Sequence, residues 1–115
     1  MTVRMYKILT VMEKKYSKDY LENSLILNEL KARFTSNECL LDSLNEQSEH
    51  YRDFSGHQTS RTILSQSVTI QILLNEAENL KRTTSWLKGE IQSYQDRLVV
   101  IQNKIQKIKE KRDNL

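Results

Sequence analysis

The chain has 115 residues, a formal net charge of +3, 37% hydrophobic and 29% charged residues, and a mean hydropathy of -0.66. That length suits one ordinary domain and is short for two. The balance is too polar for a thick globular core, yet the regularly spaced Leu and Ile residues set it apart from a disordered chain. There is no proline, and the only glycines are Gly56 and Gly89. Turn-rich sheet architectures need more of both, whereas long helices tolerate neither well in their interiors, so the composition points to helix throughout. The single cysteine, Cys39, rules out an internal disulfide and a multi-cysteine zinc site, and suggests a reducing compartment. Residues 1–12 lack the apolar core of a secretory leader, and no apolar run is long enough to span a bilayer. The expectation is an intracellular protein.

The first arm, about 2–52, places apolar residues at Tyr6, Leu9, Tyr16, Tyr20, Leu27, Leu30, Phe34, Leu41, Leu44 and Tyr51. Glu13, Asn23, Asn37 and Ser48 complete an alternation of three- and four-residue steps, which is a heptad seam with four polar layers. A polar segment at about 53–60 follows. There Gly56 can end one helix in the left-handed conformation, and Thr59 or Ser60 can cap the next.

The second arm, about 61–114, repeats the rhythm more cleanly. Ile63, Ile70, Leu73, Ala77, Leu80, Leu87, Ile91, Tyr94, Leu98, Ile101, Ile105, Ile108 and Leu115 form the seam, with Gln66, Thr84 and Arg112 filling its remaining positions. The period of 3.5 predicts helices that wind around each other with a left-handed supercoil. The predicted fold is therefore all-α, a single antiparallel two-helix coiled-coil hairpin. A symmetric turn would bring together residues whose numbers sum to about 114, so that Leu9 meets Ile105 and Tyr20 meets Tyr94, with Asn23 and Asn37 as weak layers. The seam tyrosines read as core residues with their hydroxyls at the edge. Trp86, next to Leu87, fits either packing along the seam edge or a solvent-facing anchor for a partner. Gly89 fits either a surface position or a close approach.

No glycine-rich phosphate loop, HExxH or nucleophile elbow is present. His50 and His57 lie near the turn, but Glu46 with His50 and Glu49 with Asp53 show only ordinary helix-face spacing. Two slender helices offer no water-excluding pocket, so no enzyme activity, cofactor, metal or small-molecule substrate is expected.

Charge is strongly segregated. Residues 1–18 carry Arg4, Lys7, Lys14, Lys15 and Lys18 against Glu13 alone. Residues 104–113 carry Lys104, Lys107, Lys109, Lys111 and Arg112 against Glu110 and Asp113. Residues 19–60 hold eight acids against Lys31, Arg33 and Arg52. Such runs can be the solvated face of a coiled coil. A hairpin, however, gathers both basic stretches at one end, and like charges gathered in this way point to an acidic partner. An acidic protein or an anionic membrane would serve. Nucleic acid is the weaker candidate, because few aromatics are interleaved with the cations.

The segments 43–52 (SLNEQSEHYR), 63–66 (ILSQ), 73–80 (LLNEAENL) and 104–111 (KIQKIKEK) resemble the FliJ/YscO family of central-stalk proteins of type III secretion and flagellar export. The likeness covers nearly the whole chain and rests on length, the two arms and the basic ends rather than on an invariant motif. It implies a non-enzymatic stalk whose paired termini enter the pore of the hexameric secretion ATPase. The ATPase contacts would then be Arg4, Lys7, Lys14, Lys15, Lys18, Lys104, Lys107, Lys109, Lys111 and Arg112. By the same resemblance, Tyr51, Phe54 and His57 would face an export-gate protein at the cytoplasmic side of the inner membrane, with secretion chaperones as further partners. Outside the resemblance, a small coiled-coil secretion chaperone or scaffold and a basic nucleic-acid-binding coiled coil are the alternatives.

Overall fold

The computed structural model describes residues 2–54 and 60–115, with side chains over 2–50 and 67–115. The chain is all-α, an antiparallel two-helix hairpin of coiled-coil-like build, with α1 at Thr2–Phe54 and α2 at Ser60–Asp113. Against the predicted arms, α1 runs on through Asp53 and Phe54, and α2 begins one residue early at Ser60. Gly56, His57 and Thr59 lie outside the described residues.

The helix ends differ electrostatically. The last turn of α2 carries Lys111 and Arg112, which suit the negative end of the helix dipole. Beyond it, the Asn114 amide donates to the Glu110 carbonyl and the Leu115 amide to the Arg112 carbonyl, covering two otherwise open acceptors. The first turn of α1 has no acid and contains Arg4, so its charge opposes its dipole. Helices of this composition depend on their packed face for stability.

The residues cluster into two compact units, Met1–Lys31 with Gly89–Leu115, and Ala32–Lys88. In the first, Leu9, Leu27 and Leu30 of α1 and Ile105 and Ile108 of α2 are buried. In the second, the buried side chains are Ser48, Ala77 and Leu87, of which Leu87 is fully enclosed. All eight fall on the predicted seam. From Leu9 to Ser48 and from Ile70 to Arg112, every seam position is buried or half-buried except Tyr20, at 36% exposure. The heptad reading therefore identified the packed faces correctly over these spans, whereas its outermost seam residues, Tyr6 and Leu115, are exposed at 51% and 52%.

The pairing register differs from the one expected. Arg112 donates to Glu13, the Lys104 ammonium lies 5.5 Å from the Tyr16 ring centre, and the Arg112 guanidinium lies 5.8 Å from that of Tyr6. Tyr20, expected opposite Tyr94, lines a groove with Leu98, Val99, Gln102 and Asn103. In the first unit α2 is thus slid by about one heptad, ~7 residues, from the symmetric arrangement. A slide of that size returns seam residues to seam positions, so periodicity alone does not distinguish the two registers.

The polar seam residues meet different fates. Asn23 donates its side-chain amide to the Asp19 carbonyl one turn earlier, at 2.7 Å, so its layer is satisfied within its own helix. Glu13 and Arg112 satisfy each other. The Ser48 and Thr84 hydroxyls are buried and have no hydrogen-bond partner among the described residues. Gly89 is exposed, and a Cβ added there meets nothing within 4 Å, which settles it as a surface position.

Candidate protein-interaction surface

The unit formed by Met1–Lys31 and Gly89–Leu115 contains all ten of the predicted ATPase-contacting cations. Nine of them, from Arg4 to Lys18 on α1 and from Lys104 to Lys111 on α2, are exposed. Arg112 is the exception. Its side chain and that of Glu13 are each only 20% exposed, because both complete the seam and bond to one another there. Lys104 lies over Tyr16, and Arg97, a cation of this unit outside the predicted set, lies over the Tyr94 ring at 4.5 Å. The other eight predicted cations, Arg4, Lys7, Lys14, Lys15, Lys18, Lys107, Lys109 and Lys111, form no ion pair among the described residues. Folding thus concentrates uncompensated positive charge from both ends of the sequence in one unit.

The same unit exposes apolar side chains that the seam analysis passed over. Met5, Ile8 and Met12 flank the seam of α1 at 48%, 47% and 39% exposure. With Leu9 they meet Lys111, Asn114 and Leu115 of α2 to line a groove of about 530 Å³. A second groove, of about 330 Å³, lies among Val3, Tyr6, Arg112 and Leu115. The signal was present in the sequence. Met5, Ile8 and Met12 recur at steps of three and four, which is a second apolar stripe beside the first. Pairing two helices needs only one stripe, so the heptad pattern assigns the second no role.

In the other unit Trp86 is 57% exposed, which puts it on the solvent side of the two readings open to it. Leu40 and Ile72 are exposed there as well. Ser43, Glu46, Gln47 and His50 line a polar depression on α1. Among the described residues, no group of three or more His, Cys, Asp or Glu side chains could hold a metal ion. Of the predicted gate-facing residues, Tyr51 and Phe54 belong to the last turn of α1, their side chains outside the described set, and His57 lies outside the described residues altogether. No helix among the described residues is long and apolar enough to cross a membrane.

No family model, curated protein or solved structure matches the chain. The class is set by the fold alone: a coiled-coil-like helical hairpin, with a build consistent with a structural or scaffolding role.

Proposed function

We propose that this chain is a non-enzymatic central-stalk component of a type III secretion system, whose paired terminal arms insert into the hexameric secretion ATPase while the turn side faces the export gate. The observation that carries this reading is the set of eight exposed cations without ion pairs among the described residues, drawn from both ends of the sequence into one unit. Like charges gathered in one unit repel one another, an acidic surface relieves that repulsion, and the pore of a ring assembly can supply one. The resemblance of the two arms to stalk proteins of secretion systems names the ring. Arg112 has a different task in this reading: it holds the two arms together, and the remaining cations make the contact.

The test is the triple variant Lys7→Glu, Lys107→Glu, Lys111→Glu. All three residues are exposed, so helicity should be retained. Stimulation of the secretion ATPase should fall, and binding by the unaltered chain should weaken with added salt. Glu38→Lys with Asp42→Lys, both exposed in the other unit, should leave ATPase binding intact. Full stimulation by the folded triple variant would defeat the electrostatic reading. A chain that bound no secretion ATPase would instead be a coiled-coil scaffold or secretion chaperone. The exposed Leu40, Ile72 and Trp86, free to receive another helix, favour that second reading.

A further inference from the structure

The groove between the two termini has a chemistry that charge alone does not capture. Its floor and one wall are Met5, Ile8, Leu9 and Met12, and Lys111 and Leu115 stand opposite. Counting in heptads extends these walls: Lys15 follows Ile8 by seven residues, Lys104 precedes Lys111 by seven, and Lys107 precedes Asn114 by seven. Lys111 thus stands in the wall of an apolar trough, and three more exposed lysines, Lys15, Lys104 and Lys107, hold wall positions one heptad further along, with Asp19, seven residues after Met12, among them.

From this arrangement we infer that the groove is a docking site for an acidic amphipathic helix of a partner protein, which would complete a three-helix layer at the paired termini. The inference rests on the proposed role of this end as the partner contact, and it names the element gripped there. An apolar stripe on such a helix fills the trough, and carboxylates on both flanks of the stripe reach these lysines. The two methionines suit this occupant, because their unbranched thioether side chains adapt to a ridge of Leu or Ile side chains. A second copy of the same end is disfavoured, since it would set lysines against lysines. A flat lipid surface fits poorly into a trough that is concave between two helices.

The test uses the full chain labelled with ¹³C at the methionine methyl groups, titrated with an 18-residue synthetic peptide. The peptide carries Leu at helical spacing along one stripe and Glu on both flanks, and a scrambled peptide of identical composition serves as the control. The Met5 and Met12 methyl signals should shift with the amphipathic peptide and stay in place with the scrambled one. Ile8→Ser with Met12→Ser should weaken binding at least tenfold with helicity retained, since both side chains are exposed. Lys107→Glu with Lys111→Glu should weaken it comparably and reduce its salt dependence. Equal binding of the scrambled peptide would overturn the groove and leave charge alone. Unmoved methionine signals would overturn it outright. So would a methionine shift produced by anionic phosphatidylserine vesicles and not by the peptide, or a self-association lost in the Ile8→Ser, Met12→Ser variant. None of these readouts involves an ATPase, so the groove and the secretion-stalk reading can fail separately.

Discussion

Arg112 donates a hydrogen bond to Glu13 across a sequence separation of 99 residues, and both side chains lie half-buried in the seam that joins the two helices. A charge in that position is tolerated because its partner is there. Removing one member leaves the other partly desolvated and unpaired, whereas replacing both with apolar residues of similar size removes the problem.

Glu13→Ala and Arg112→Ala should each lower stability by about 1–3 kcal/mol. Glu13→Leu combined with Arg112→Leu should recover most or all of that loss. Urea melts of the wild type, Glu13→Ala, Arg112→Ala and the protein carrying both alanines form a double-mutant cycle. Additive losses, with no coupling between the sites, would show that the pair is not formed in solution.

The slid register predicts a specific proximity. In a Cys39→Ser background, Tyr16→Cys with Lys104→Cys should be joined rapidly by a short bifunctional maleimide, because the native side chains are in contact. Tyr16→Cys with Leu98→Cys, the neighbours in the symmetric register, should react more slowly. The reverse order of rates would restore the symmetric arrangement.

Gly89→Ala should stabilise the protein. The position is helical and exposed with open space around its Cβ, so only the backbone entropy of glycine is at stake, about 1 kcal/mol. In a chain of this size that raises the melting temperature by about 4 °C. A fall in thermal denaturation would mean that something packs against Gly89 after all.

Thr84→Val keeps the shape of the side chain and removes a buried hydroxyl that has no partner among the described residues. It should raise stability by about 1 kcal/mol, and Ser48→Ala should be neutral or better. Thr10→Val is the contrast: the Thr10 hydroxyl bonds the Tyr6 carbonyl at 2.9 Å on the surface, and its removal should change little. If Thr84→Val proved destabilising, its hydroxyl must find a partner in solution.

The sequence carried the fold because a heptad seam is a local pattern repeated many times. Leu9, Leu30, Ala77 and Ile108 could each be assigned to the packed face from their neighbours alone. Register is different in kind. Leu9 and Ile105 satisfy the same pattern whichever heptad lies opposite, so the choice falls to a few irregular layers such as Glu13 with Arg112. Once Glu13 was read as a polar gap in one seam and Arg112 as a gap in the other, their pairing was available from charge. The cationic cluster was legible for the same reason as the seam, being contiguous in sequence at each end. The groove was not, because it exists only where Met5, Ile8 and Met12 of one helix meet Lys111 and Leu115 of the other.

The terminal unit encloses its side chains unevenly, and this bears on how the native state opens. Leu9, Leu27, Leu30, Ile105 and Ile108 are enclosed there, whereas all of residues 2–8 are exposed. At ~25 cal/mol per Å² of apolar surface, that contrast amounts to several kcal/mol of driving force. Sub-global fluctuations should therefore expose the amides of residues 2–8 well before those around Leu27, Leu30 and Ile105. Hydrogen exchange would then divide α1 into an early-exchanging start and a late-exchanging stretch around Leu27 and Leu30, with Arg4 and Lys7 on the less persistent part.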